Sequence, residues 1–113
     1  MIVDVQLHGG LTQGIGQVLA EQVVFGADGM LLSGTLADYS LRRASEVPTF
    51  ELGRTHSPTP FNPIGAKGIG ESGAVAAPAA IASAIMDALS GRGQFDVELP
   101  FTCETVWRLL AAE

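Results

Sequence analysis

The sequence is short of cysteine, of positive charge and of long apolar runs, and each shortage excludes a class of protein. A single cysteine, Cys103, excludes an internal disulfide and fits a reducing compartment, so we expect a cytoplasmic protein. Six lysines and arginines against twelve acidic residues, for a net charge of −6, argue against a nucleic acid partner, because phosphates need clustered cations. No apolar run reaches the length of a membrane span, since Asp87 interrupts the longest alanine-rich segment. The first residues also lack the basic region of a secretory signal peptide.

What the sequence has in excess is small and apolar residues. The 113 residues are 47% hydrophobic, 16% charged and 6% aromatic, and 14 of them are glycine. This composition is apolar and glycine-rich for a small soluble domain, so we expect faces that other protein normally covers. We therefore interpret residues 1–113 as a single piece of a larger domain, long enough for one modest core.

Two main helices are expected from the spacing of apolar residues. The first, over about residues 10–22, shows the three-and-four spacing of one helical face at Leu7, Leu11, Ile15, Val18 and Leu19. Its glycines, at positions 9, 10, 14 and 16, each cost about 1 kcal/mol relative to alanine, so another backbone or a ligand should approach closely. The second helix is alanine-rich, with Pro78 in its first turn and Gly91 as its end. A shorter helix follows a capping Thr102.

Short strands are expected around these helices. Residues 1–6 alternate weakly and predict the end of a strand, and residues 49–54 predict another. Two apolar runs on either side of Asp28-Gly29, within residues 23–32, predict a β-hairpin. Residues 95–99 alternate as a further short strand. The expected fold class is therefore α+β, with short antiparallel strands and two main helices.

A glycine-rich loop, residues 65–73, is where the residues suited to chemistry concentrate. Four of its nine residues are glycine, so bare amides can approach a ligand closely. Successive N–H groups aimed one way form an anion nest, and the start of the following helix adds partial positive charge. Glu71 has two interpretations here: a carboxylate that acts as a base, or an acid favoured at a helix start by the dipole. The loop, which follows a stiff proline-rich lead-in over residues 57–63, predicts a site for a phosphate or similar anion.

The sequence context argues against two nucleotide-binding motifs and against metal binding by His8. Residues 68–73 satisfy G-x-G-x-x-G, but that fingerprint needs a buried strand before it, and prolines stand there instead. The phosphate loop G-x-x-x-x-G-K-[ST] fails because Lys67 precedes its glycines. His8 has no second His or Cys at metal spacing, so we expect it to make a structural hydrogen bond rather than bind a metal.

Two glycine-rich motifs, HGGLTQGIGQ at residues 8–17 and NPIGAKGIGESG at residues 62–73, carry a resemblance to a known family. They resemble the molybdenum hydroxylases, which include xanthine dehydrogenase, aldehyde oxidase and aerobic carbon monoxide dehydrogenase. The hairpin, the Asp38-Tyr39 pair, the alanine-rich helix and Val106-Trp107 follow in the family's order, so the resemblance spans nearly the whole chain. Cys103 is a small departure, since relatives often have proline after the capping threonine. The chain is therefore similar to the C-terminal part of the family's molybdopterin-binding large subunit.

The resemblance implies a reaction and a role for the loop. In this family the glutamate that matches Glu71 lies beside the molybdenum of a molybdopterin cofactor, which is frequently the cytosine dinucleotide form in bacteria. It acts as the base on a metal-bound hydroxide, whose oxygen attacks a carbon while hydride moves to a sulfido ligand. Electrons then leave through 2Fe-2S and FAD-binding subunits or domains. Cofactor contacts are implied for Lys67, Gly68, Ile69, Gly70 and Gln13.

The length of the chain implies a fragment of such an enzyme. Large subunits of the family are several times longer, so one loop supplies too few contacts to hold molybdopterin tightly, and the isolated chain is expected to be inactive. The substrate stays open among an aldehyde, a purine, an aromatic heterocycle and carbon monoxide. The implied partners are the rest of the subunit and the flavin and iron–sulfur proteins, with no nucleic acid and no membrane. The alternative is a non-catalytic domain that forms homo-oligomers through exposed apolar surface.

Overall fold

The computed structural model describes residues 2–92 and 98–111, and its regular structure is helical. Helix α1 is Ile2–Leu19, α2 is Ser72–Ala88 and α3 is Cys103–Ala111. Single 3-10 turns lie at Ala44–Glu46 and Ser90–Arg92. Within this described part of the chain, none of the helices is both long and apolar enough to cross a membrane.

Helices α1 and α2 pack directly against each other through glycine. A Cβ atom added to Gly10 would lie 3.0 Å from the backbone nitrogen of Ala74, and one added to Gly14 would lie 2.7 Å from the Cβ of Ala77. On the facing helix, a Cβ on Gly73 would lie 2.7 Å from a backbone oxygen of α1. The close approach expected at the glycines of the first helix is thus confirmed for Gly10 and Gly14. This contact fixes the start of α2, and with it the end of the glycine loop, against α1.

The apolar core of the described residues is small. Its buried members are Val18, Ala77, Leu89 and Phe101, and the Phe101 N–H donates to the carbonyl of Val18. Many large apolar side chains stay exposed, Phe61 for example at 94%. The radius of gyration is 17.8 Å, against about 13 Å for a compact domain of this size. These observations fit the apolar faces that the composition predicts.

The predicted α+β fold class with short antiparallel strands is not confirmed, because the described residues form three helices and almost no β-structure. The one antiparallel bridge among them joins Phe25 and Leu31. It lies across the predicted Asp28-Gly29 turn, where Gly29 has the positive φ of 81° that such turns need. The turn is therefore present, but its two arms do not extend into strands.

The remaining strand predictions failed or lie outside the described residues. A strand end was predicted over residues 1–6, but residues 2–6 begin α1 instead, because their helical spacing continues from Val3 to Leu7 and packing outweighs a weak β preference. Residues 49–54 form no strand, since a strand needs a neighbour for its hydrogen bonds and the described chain provides none. Of the strand predicted over residues 95–99, residues 95–97 lie outside the described part.

Both main helices differ from their predicted bounds. Helix α1 starts and ends earlier than the predicted 10–22. Helix α2 starts at Ser72 and ends at Ala88, so Pro78 lies beyond the first turn. The proline ring packs where α1 has no side chain: a Cβ on Gly14 would lie 3.0 Å from Pro78 Cδ. The contact between the two helices therefore accommodates a residue that local rules place nearer the helix start.

Helix α3 begins as predicted. The Thr105 N–H donates to Thr102 Oγ1 at 3.1 Å, so the capping role of Thr102 is confirmed. Further along, Arg108 Nη2 donates to Glu104 Oε1 at 2.6 Å, an exposed pair at the i, i+4 spacing. Local sequence rules were sufficient here because the cap and the pair each join residues that are three or four positions apart in the sequence.

Tyr39 offers a test of a contact within the segment that follows α1. Its Oη donates to Glu21 Oε2 at 2.7 Å, and this hydrogen bond raises the pKa of Tyr39 above its ordinary value of 10.0. A raised folded pKa means that the contribution of this bond to stability is present below pH 10 and is lost as the pH rises through the folded pKa. Because Tyr39 is the only tyrosine, we expect ultraviolet titration to give a midpoint above 10 that falls in Glu21→Ala. Equal midpoints in the two proteins would contradict this bond.

Candidate functional site

The segment that leads into the glycine loop is closed on itself by one asparagine. Asn62 Nδ2 donates to the carbonyl of Ala66, and the Ala66 N–H donates to Asn62 Oδ1, both at 2.9 Å. Between them Gly65 has a φ of 66°, a conformation that favours glycine. Its carbonyl accepts from the Thr59 N–H at 3.1 Å. The proline-rich lead-in thus ends in a closed turn immediately before residue 67.

Removing this asparagine should loosen the entry to the loop. In Asn62→Ala both hydrogen bonds to Ala66 are lost, and at about 1 kcal/mol each, or about 2 kcal/mol together, we expect the Ala66 amide to exchange hydrogen roughly thirtyfold faster. Asn62→Asp is the matched control, because it keeps the acceptor for the Ala66 N–H and loses only the donor, so its effect should be smaller. Exchange measured by mass spectrometry decides this, and unchanged exchange in Asn62→Ala would show that the turn is held by other contacts.

The residues after this turn leave their backbone donors unused. In the described part of the chain, none of the N–H groups of residues 67–71 donates to another residue. Lys67 Nζ donates to Ser57 Oγ at 3.1 Å, which places one cation at this loop. A Cβ at Gly68 or Gly70 would meet nothing within 4 Å, so the loop faces open space. Successive unpaired N–H groups beside open space fit an anionic group.

Glu71 stands immediately before α2, and its side chain is exposed. Its backbone carbonyl accepts from the N–H groups of Ala74 and Val75, both at 3.0 Å, but its side chain makes no capping hydrogen bond. The carboxylate is therefore not used to hold the helix start. It lies at the N-terminus of a 17-residue helix, where the helix dipole favours negative charge.

The structure brings together some of the predicted site residues and not others. A concave surface of about 560 Å³ is lined by Gly68, Gly70, Glu71, Ser72, Val75 and Ala76. Lys67 and Ile69 adjoin these residues along the chain without lining the concavity. Gln13 is exposed on α1 and is not among the lining residues. The predicted base and two of the predicted loop glycines therefore share one surface.

Sequence reasoning missed Gln6, which reaches this loop from α1. Gln6 Nε2 donates to the carbonyl of Gly70 at 2.9 Å, across a separation of 64 residues. The pattern that indicates this contact is helical: when the helix begins at Ile2, Gln6 lies four residues before Gly10 on the same helical face. Because residues 1–6 were predicted as a strand, Gln6 was not placed on the helical face of Gly10.

No side-chain metal site is formed by the described residues, since no group of three His, Cys, Asp or Glu side chains among them is placed to hold an ion. His8 Nδ1 instead lies 2.8 Å from the carbonyl oxygen of Asp4, which accepts its proton. The ring of His8 is also 5.6 Å from that of Phe50. The structural hydrogen bond expected of His8 is thus confirmed.

These features define a class of site: a glycine loop suited to an anionic cofactor or substrate, ending in an uncommitted carboxylate that lines a concavity. Such a site combines binding by backbone donors with a group that can take up a proton. Comparison with known proteins narrows this class to one family.

A family profile described as a molybdopterin cofactor-binding domain matches residues 1–48. The chain is 41% identical over 110 residues to the carbon monoxide dehydrogenase large chain of Hydrogenophaga pseudoflava. This match covers 97% of this chain and 14% of that protein. It is also 41% identical over 107 residues to the nicotine 6-hydroxylase large subunit of Paenarthrobacter nicotinovorans, covering 95% and 13%. The crystal structure of quinoline 2-oxidoreductase from Pseudomonas putida 86 matches with a TM-score of 0.92 and 38% identity, covering 99% of this chain and 14% of that chain.

The chain belongs to the molybdenum hydroxylase family and corresponds to part of its large subunit. It spans 14% of the length of the first relative named above. The resemblance of the chain to this family is therefore confirmed. That this part is the C-terminal one, and that residues 1–113 form a single unit within it, stay predictions.

Proposed function

We propose that this chain supplies a molybdenum hydroxylase large subunit with its cofactor-binding glycine loop and with Glu71 as the catalytic base. The observation that carries the proposal is that Gly68, Gly70 and Glu71 line one concavity, beside backbone N–H groups with no partner in the described chain. The reaction is the hydroxylation of a carbon centre with an oxygen derived from water. The isolated chain, which lacks most of the subunit, would be inactive.

The loop binds through its backbone. The N–H groups of residues 67–70 hold anionic groups of molybdopterin, and the glycines keep side chains out of that space. Lys67, whose ammonium is placed by Ser57, adds a positive charge. Gln13 adds an amide side chain from α1. The cofactor, when bound, supplies the redox centre and delivers the oxygen to the substrate carbon.

Glu71 contributes proton transfer. Its carboxylate lines the concavity and is not committed to a helix cap, so its oxygens are available to take the proton of the attacking water-derived oxygen. The replacement Glu71→Gln in the complete large subunit tests this role, with turnover and molybdenum content measured on the same preparation.

The substrate and the partners are proposals at the level of class. The relatives are named for carbon monoxide, nicotine and quinoline, so the substrate is a small molecule with an electrophilic carbon. The residues that select it lie in the rest of the large subunit, which also covers the exposed apolar faces of this chain. FAD-binding and 2Fe-2S subunits carry the electrons away. For the cofactor, we propose the cytosine dinucleotide form of molybdopterin.

A second candidate is a non-catalytic assembly domain, which the many exposed apolar side chains favour. It predicts a stable homo-oligomer that contains no metal, whereas the enzyme hypothesis predicts copurification with a larger molybdopterin-containing polypeptide. Sedimentation together with metal analysis separates the two. A monomer with a fixed fold would exclude the assembly role.

A further inference from the structure

We infer that Gln6 is a positioning residue, which holds the peptide unit between Gly70 and Glu71 against α1 and so sets where the Glu71 carboxylate stands. The structural part of this inference is independent of any activity, and its catalytic consequence rests on the proposed function. The observation behind it is the 2.9 Å hydrogen bond from Gln6 Nε2 to the Gly70 carbonyl.

This hydrogen bond orients a whole peptide plane. A peptide unit is planar, and in the trans form its C=O and N–H point to opposite sides. The described chain has one cis peptide, between Leu99 and Pro100, so the unit between Gly70 and Glu71 is trans. With the Gly70 carbonyl held toward α1, the Glu71 N–H points away from α1. Gln6 thereby also aims one of the unpaired donors of the loop.

Packing does not hold this peptide on its own. A Cβ at Gly68 or at Gly70 would meet nothing within 4 Å, and glycine has the widest backbone freedom of any residue. Beyond Glu71, by contrast, Gly73 is pressed against α1, where an added Cβ would lie 2.8 Å from the Leu11 nitrogen. Glu71 is thus fixed on its C-terminal side by helix packing. On its N-terminal side it is fixed by the hydrogen bond from Gln6.

The test uses the complete large subunit with its partner subunits and replaces the donor without changing the helix. Gln6→Met keeps the length and the helix propensity of the side chain and loses the N–H groups. Gln17→Met is the matched control, because Gln17 is an exposed glutamine of the same helix with no hydrogen bond to another described residue. The isosteric Gln6→Glu is a second variant, which places an acceptor opposite the Gly70 carbonyl.

Two readouts are measured on each protein: hydrogen exchange of the peptide that spans residues 67–72, and steady-state kinetics with molybdenum content. The hydrogen-bonded amide of this peptide is that of Ser72, whose N–H donates to the Ile69 carbonyl, and in Gln6→Met we expect this amide to exchange about five- to tenfold faster. We expect kcat to fall by about 10- to 100-fold with KM within about threefold, since a base displaced by an ångström loses rate rather than binding. Gln6→Glu should have at least the same effect, and Gln17→Met should match the wild type in both.

The outcomes separate this inference from the proposed function. If Glu71→Gln abolishes turnover while both Gln6 variants exchange and turn over like the wild type, the inference is overturned and the base assignment stands. Faster exchange without a fall in kcat overturns the catalytic half of the inference. If Glu71→Gln keeps full activity, the base assignment fails, and the exchange data alone decide whether Gln6 holds the loop.

Discussion

Replacing Glu71 by glutamine in the complete enzyme is expected to lower kcat by about 1,000-fold, the middle of the range for the loss of a general base. Glutamine has the same shape, but its amide does not take up a proton. The side chain of Glu71 is exposed and makes no hydrogen bond to another described residue, so folding should not depend on its charge. Molybdenum content should therefore equal that of the wild type, and the loss should appear in kcat.

The control for this experiment is a second exposed glutamate of the same chain. Glu51 makes no hydrogen bond to another described residue and lies outside the concavity, so Glu51→Gln should keep wild-type kcat. Turnover of Glu71→Gln within about twofold of the wild type would exclude a base role for this residue, given that general bases contribute at least about 100-fold. A loss of molybdenum in Glu71→Gln would instead point to a role in cofactor retention.

Replacing Gly73 by alanine is expected to destabilise the fold by about 2 kcal/mol, the usual cost of overpacking a close contact. The added Cβ would lie 2.7 Å from the Leu7 carbonyl oxygen, 2.8 Å from the Leu11 nitrogen and 3.0 Å from the Gly10 carbonyl carbon. All three are backbone atoms, which cannot rotate away as a side chain could. The helices α1 and α2 must therefore separate, and denaturant unfolding followed by circular dichroism at 222 nm should show the loss.

Gly9 provides the opposite expectation within the same pair of helices. A Cβ at Gly9 would meet nothing within 4 Å, so Gly9→Ala should stabilise α1 by up to about 1 kcal/mol through helix propensity alone. The two substitutions are chemically identical and differ only in what faces the new methyl group. If Gly73→Ala were as stable as Gly9→Ala, the close contact between the helices would not exist in solution.

Two of the predictions that the structure supports depend only on neighbours in the sequence. The turn at Asp28-Gly29 and the cap at Thr102 need only a few adjacent residues, and both are present. The alternating pattern of residues 49–54 failed for the opposite reason. A strand is stable only beside a partner strand, and nothing in the pattern of one segment shows whether that partner exists.

The sequence by itself determined the family, the glycine loop and the position of Glu71 within it, because a motif is a property of consecutive residues. It also required a close neighbour for the glycines of α1, since glycine inside a helix is costly without one. Only the tertiary structure decided which neighbour that is, namely Gly73 and the residues beside it in α2. The tertiary structure alone decided that Gln6 reaches Gly70, 64 residues away. A hydrogen bond between such distant residues depends on how two helices pack, and the spacing of residues within one segment does not indicate it.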